Sequence, residues 1–268
     1  MIEFIYATIP SVVILLIIYA NDKFKEPKVI IFKTFLLGYA LSFFLYPFIF
    51  NLDDLIESIY QNSYTLSYLD YDFISNFLRA SFLEESAKFI ILYIFVSKYS
   101  EFDEPMDAIV YGVAVSLGFS AMENFDYIRT EEELTLLQIS LHRFLPTMMH
   151  MTTGIMMGFL FSKFYFNHTK KFWKLFIALF IPLLVHGTYN FSWVWGMINF
   201  NSFIYSYLLL VFIIFVAVLM FRHQKSKQIS IQENNILTFD NYSLLAATII
   251  SNLITVIFLC VVLTAIFF

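Results

Sequence analysis

Charge is what this chain has least of. Asp, Glu, Lys and Arg make up 14% of its 268 residues, against about 25% in soluble domains. Cysteine occurs once, at Cys260, which excludes a disulfide framework and any multi-cysteine metal site. Basic residues do not outnumber acidic ones (16 against 21, net −5), so there is no basic face for a nucleic acid. No stretch is long and polar enough to fold as a soluble domain. What fills the chain instead is apolar: 60% hydrophobic residues and a mean hydropathy of +0.75. These proportions describe an integral membrane protein. Charge inside a bilayer is costly and functional by default, so the location of the few charges matters most.

A helix needs about 20 mainly apolar residues to cross the roughly 30 Å hydrocarbon core. Eight segments have that length: near 3–20, 28–50, 73–97, 106–126, 140–163, 172–192, 202–221 and 243–267. The expected fold is therefore all-α, a polytopic protein of about eight transmembrane helices forming one integral domain over 1–268. The first segment lacks a basic leader and a small-residue cleavage site, and reads as a retained helix.

Orientation follows from the loops. Lys23, Lys25, Lys28, Lys98, Lys163, Lys170, Lys171, Lys174, Arg222, Lys225 and Lys227 fall in alternate connections, and the others hold only Arg129, a split of 11 against 1. The Arg129 side is acidic, with Asp53, Asp54, Glu57, Asp70 and Asp72 in one connection and Asp126 and Glu131 to Glu133 in another. Basic loops stay in the cytoplasm, which predicts a multi-pass protein of the cell membrane with both termini extracytoplasmic. Within 51–72, Leu52, Leu55, Ile56 and Ile59 share a helical face, so this connection is either a surface helix or a plain polar linker.

Apart from Glu3 and Lys33 near span ends, ionisable groups remain inside only four spans, the third to the sixth. The third carries Arg79, Glu84, Glu85 and Lys88; the fourth ends in Glu123–Asn124; the fifth holds His142, Arg143 and His150; the sixth holds His186 and Asn190. This concentration predicts a four-helix catalytic core over 73–192, with peripheral helices in 1–50 and 202–268. At 1.5 Å per residue, Glu84 lies about 16 Å below the acidic side, and the other groups can meet it in the outer half of the bilayer. Spacing agrees. Glu84 and Lys88, and His186 and Asn190, are i,i+4 pairs, while Arg143 and His150 are i,i+7 and share a face. Gly154 and Gly158 continue the His150 stripe with residues that let helices approach closely. Pro146 can bend the helix just before His150.

Carboxylates and imidazoles in a partly dry cavity can handle water in two ways. A glutamate can act as general base while the histidines and Asn190 orient water and oxyanion. Alternatively, His150, His186 and a glutamate can hold zinc and leave one position for water, with a second glutamate as base. Both give hydrolysis. A proton or ion pathway, or polar helix packing alone, is the non-enzymatic alternative; Arg79 and His142 need be no more than packing partners. There is no HExxH and no GxSxG, so neither the familiar helical zinc motif nor a serine elbow is present.

The residues EESAK (Glu84 to Lys88), FSAMEN (Phe119 to Asn124) and HGTYNF (His186 to Phe191), with His150 between, read as EExxK, FxxxEN and HxxxNF. In this order they resemble the PrsW family of intramembrane proteases, itself similar to the CAAX prenyl proteases and bacteriocin-related membrane proteases. The resemblance covers about 73–192. It implies a membrane-embedded endopeptidase acting on a membrane-anchored protein near the outer half of the bilayer; for the namesake activity that protein is an anti-sigma factor. It further implies that Glu84, Glu85, Glu123, His150 and His186 are the catalytic or metal-binding set, assisted by Asn190 and supported by Lys88, Asn124 and Arg143. The metal set would be His150, His186 and Glu123, with zinc as the ion and no cofactor if glutamate alone activates water. The wider group usually has histidine where this chain has Glu123, which leaves both mechanisms open. A prenyl-protein endopeptidase, a transporter and an immunity protein on the same scaffold are the competing readings.

Overall fold

A computed structural model describes residues 2–131, 134–167, 171–198 and 203–233. The described residues form helices and no strands. The expected eighth span, 243–267, lies outside them. Six helices are long and apolar enough to cross a membrane: α1 (Ile2–Asn21), α2 (Lys28–Gln61), α5 (Pro105–Thr130), α6 (Leu136–Tyr165), α7 (Phe172–Ile198) and α8 (Phe203–Glu233).

The third expected span is wound differently. Helix α3 (Tyr68–Ile74) runs into a π-helical turn (Ser75–Phe82), then α4 (Leu83–Ile90), a second π-helical turn (Ile91–Phe95) and a 3₁₀ turn (Val96–Lys98). The first wide turn is rich in side chains that bond nearby main chain and side chains. Asn76 Nδ2 donates to Asp72 O at 2.8 Å, Ser81 Oγ to Phe77 O at 3.0 Å and Arg79 Nε to Ser75 Oγ at 3.0 Å. Such local bonds compete with the regular ladder, and π turns recur at functional sites. Helix α4, which carries EESAK, is bracketed by the two wide turns.

Residues 51–72 form no separate surface helix. Residues 51–61 continue α2, and the chain turns at 62–67 before the capping box of Ser67 and Asp70 starts α3. Of the shared face, Ile56 is buried while Leu55 and Ile59 stay exposed. A second capping box, Thr135 with Gln138, starts α6.

The core is centred on α5. Its most apolar stretch is 89% buried and that of α6 78%, against 28% for each of α1, α2, α7 and α8. Glycine permits this. A Cβ on Gly112 would come within 2.8 Å of the Gly154 carbonyl oxygen, and one on Gly158 would overlap that of Ala108, so α5 and α6 meet backbone to backbone.

At the basic end, Lys225 Nζ donates to Asn21 Oδ1 and Gln228 Nε2 to Asp22 Oδ1, both at 2.8 Å, joining α8 to the end of α1. At the acidic end, Arg79 pairs with Asp53 at 3.0 Å, tying the first wide turn to α2.

Candidate active site

Four helices converge on one buried cluster. Glu84, Glu85 and Lys88 come from α4, Glu123 from the last two turns of α5, His150 from the middle of α6 and His186 from α7. Glu85, Lys88, His150 and His186 are 0–2% exposed, and Glu84 is 7% exposed. Burial of this much charge requires pairing.

Lys88 is the hub. Its ammonium lies 2.8 Å from Glu85 Oε1, 3.3 Å from Glu84 Oε2 and 3.0 Å from His150 Nδ1, with the Phe119 ring 4.2 Å from it. An ammonium has three donors and no acceptor, so these partners use all three. His150 Nδ1 must therefore accept, which places the ring proton on Nε2. That nitrogen faces Glu123 Oε2 at 2.9 Å. Glu123 Oε1 in turn pairs with Arg143 at 2.8 Å.

His186 has the opposite tautomer. Its Nδ1 donates to Glu85 Oε1 at 2.8 Å, and its Nε2 lies 4.0 Å from Glu84 Oε2. The two imidazoles stand edge to face, with centroids 5.2 Å apart. Gly187 lets His186 reach this position, because a Cβ there would strike the Phe77 ring and Ser81 Oγ of the first wide turn.

A supporting layer lies behind Glu123. Arg143 Nε donates to Asn124 Oδ1 at 2.9 Å, and its guanidinium stacks on Tyr127 at 4.3 Å. Thr147 Oγ1 accepts from Ser120 Oγ at 3.2 Å and from Asn124 Nδ2 at 3.0 Å, and donates to Arg143 O at 2.7 Å. Ser120 and Thr147 are absent from the sequence-derived set, although each lies three residues before a site residue, Glu123 and His150. Both site histidines also follow a proline by four residues, in PTMMH (Pro146) and PLLVH (Pro182). Only the first of these was expected near the polar set. Proline leaves the carbonyl one turn earlier without its helical donor, so each histidine sits beside a weakened turn.

Other expected members take other places. Asn190 is half-buried one turn beyond His186 and makes no hydrogen bond to the cluster. His142 is exposed, and Arg79 belongs to the Asp53 pair. The donor group differs from the expected metal set: Glu84, Glu85, His150 and His186 each offer an atom within 4.8 Å of the others. Glu123 is not among them and acts on the far nitrogen of His150. Two oxygens and two nitrogens suit zinc, and a carboxylate behind a ligating histidine is the usual arrangement. Glu85 Oε2 is buried without a hydrogen-bond partner among the described residues, so the set has acceptor capacity left for a cation or water. The residues fit a metal.

Fold and site together define an all-helical membrane hydrolase whose carboxylates and histidines are walled in between helices. Comparison with known proteins makes this specific: residues 26–219 match the PrsW family intramembrane metalloprotease. The chain belongs to that family. It is 32% identical over 204 residues to Protease PrsW of Bacillus subtilis (strain 168), covering 73% of this chain and 87% of that protein. It is 31% identical over 184 residues to Protease PrsW of Geobacillus kaustophilus (strain HTA426), covering 68% and 75%. For Protease PrsW of Clostridioides difficile (strain 630) the figures are 32% over 194 residues, covering 70% and 77%. No solved structure matches. The chain is thus a membrane-embedded protease with a protein substrate in the membrane, and the family gives no support to a transporter.

Proposed function

We propose that this protease hydrolyses a peptide bond of a membrane-anchored protein at the Glu84–Glu85–His150–His186 cluster, between the bilayer midplane and the outer surface. The carrying observation is the burial of these four donors within 4.8 Å of one another. The loop-charge asymmetry supports a cytoplasmic basic end and an N-terminus outside, with the acidic end above the site. Glu123 lies seven residues from the C-terminus of α5, about 10 Å from the acidic end. By resemblance, the substrate class is an anti-sigma factor. The catalytic core is the 73–192 stretch, which carries every residue of the cluster.

Glu84 is the general base. Its Oε2 and the His186 Nε2 lone pair are two acceptors across one 4.0 Å gap, so a water between them donates both protons and turns a lone pair toward the substrate carbonyl. Glu85 fixes the tautomer of His186. His150 anchors Lys88, and Glu123 with Arg143 and Asn124 holds His150 in place. Asn190, one turn beyond His186, stabilises the oxyanion. Zinc, where bound, would be held by Glu85, His150 and His186, which leaves Glu84 as the base, and would supply Lewis-acid activation of the water. His150 Nδ1 can join such a set only on leaving Lys88.

The test uses the full chain in lipid nanodiscs with a single-span reporter substrate. Glu84→Gln is expected to lower the cleavage rate by about 10²- to 10⁴-fold, the usual worth of a general base, while circular dichroism stays unchanged. Cleavage at the wild-type rate would overturn the assignment. Metal content of the same preparation, by plasma mass spectrometry before and after chelation, tests the zinc set.

A further inference from the structure

The order EExxK puts Lys88 four residues after Glu84 and three after Glu85, within reach of both on one helix face. The side chain is 0% exposed, and a buried ammonium persists only where partners satisfy it. Four groups surround this one: Glu85 Oε1 at 2.8 Å, His150 Nδ1 at 3.0 Å, Glu84 Oε2 at 3.3 Å and the Phe119 ring at 4.2 Å. Glu85 and His150 belong to the residues that would hold a metal. Glu84 and Phe119 do not.

The acceptor of a neutral imidazole is a single lone pair on one nitrogen, so His150 Nδ1 serves Lys88 or a metal but not both. Glu85 is constrained as well. Its Oε1 already accepts from Lys88 and from His186 Nδ1, both at 2.8 Å, while Oε2 is buried without a hydrogen-bond partner among the described residues. Two cations a few ångströms apart in a poorly hydrated interior also repel each other. The ammonium and a metal therefore compete for the same donors. On yielding His150 the ammonium need not leave the cluster, because Glu84 and the Phe119 ring still hold it.

We propose that Lys88 is a positioning residue that stands in for the metal. It holds Glu85 and His150 together in the metal-free protein, and a metal loads only by displacing it from His150 Nδ1. This inference rests on the metal-binding reading of the cluster and goes beyond it: the affinity for metal is set by the lysine as well as by the ligands. The binding-competent arrangement is only a fraction of the metal-free population, and the apparent affinity is weakened by that fraction.

The full chain in lipid nanodiscs, stripped of metal and titrated with Zn²⁺ against a chromophoric chelator, tests this with no substrate present. Lys88→Met is expected to bind zinc about 10²- to 10³-fold more tightly than the wild type, the worth of one partner in a buried ion pair read as affinity. Lys88→Arg keeps the charge and should stay near the wild-type affinity. Lys88→Gln is neutral yet still donates to the carboxylates, so it should tighten zinc binding too, and it serves where the Met variant fails to fold. The tight site should vanish when His186→Ala is added to either neutral variant. A merely structural lysine would cost stability on replacement without strengthening zinc binding. Unchanged or weaker zinc binding in the neutral variants, equal tightening in Lys88→Arg, or tight binding that survives His186→Ala each overturns the proposal. Cleavage is not the readout, so such a result leaves the role of Glu84 to be decided by Glu84→Gln.

Discussion

The chain buries carboxylates in two places and treats them oppositely. At the proposed catalytic cluster, Glu84, Glu85 and Glu123 meet the cations Lys88 and Arg143. At the basic end, Asp22, Glu26, Glu104 and Asp107 meet neutral donors. Gln228 Nε2 bridges Asp22 and Glu104, Tyr111 donates to Glu26 Oε2 at 2.6 Å, and the Asp103 and Glu104 main-chain N–H groups cap onto Asp107. The nearby lysines are turned elsewhere: Lys25 Nζ donates to the Tyr19, Ala20 and Asp22 carbonyls, and Lys225 to Asn21. Burial accordingly pushes the Asp22 and Glu26 carboxyls up and Glu104 to about 7. At the proposed active site, charge is matched by charge. Where it fastens helices together, charge is matched by protons and amides.

Three measurements break or sharpen this contrast. The largest effect belongs to Lys88→Met, which strands two buried carboxylates at once. Loss of one partner of a buried ion pair costs about 3–5 kcal/mol, so SDS titration should show a stability loss of that order, smaller in Lys88→Arg. A loss below 1 kcal/mol would show that the cluster does not depend on its cation. Next comes Gln228→Leu, which removes the amide shared by Asp22 and Glu104. Unsatisfied buried acceptors cost about 1–3 kcal/mol, and the same titration reads it. The smallest is a pH effect. Asp22, Glu26 and Glu104 bind protons more tightly folded than unfolded, so their stabilisation is complete below the ordinary carboxylate range and is lost as pH rises through about 7. The melting temperature should fall between pH 5 and pH 8, and Glu104→Gln should flatten that fall. A rise with pH would contradict the neutral-donor account.

The six apolar helices were legible because period and length carry their signal. The boundary at residue 50 was not: Asn51 to Gln61 read as a linker because Asp53, Asp54 and Glu57 interrupt the apolar run, yet the backbone continues as helix. The wide turns around α4 also escaped, since side-chain bonds such as Asn76 to Asp72 O compete with the backbone ladder without a proline to announce it. In the site, residue types and helix faces picked out the members, but not which nitrogen each imidazole presents. That follows from Lys88, which faces Glu84 and Glu85 by i,i+4 and i,i+3 spacing and also reaches His150 across the helix packing. The basic-end knot was invisible for a different reason. Asp22, Glu26 and Glu104 are loop residues in sequence, and only the return of α8, 206 positions after Asp22, encloses them.

The enclosure of α5 and α6 also bears on how the protein is made. These two helices are the least apolar of the six spans and the most completely covered by protein. Leaving the insertion machinery alone, each would present serines, threonines and a carboxylate or histidine to lipid tails. Their stay in the bilayer therefore depends on the hairpin formed through Gly112, Gly154 and Gly158, and on α1 and α2 closing over it. The cluster draws on α4, α5, α6 and α7, so it is complete only once α7 has joined the bundle.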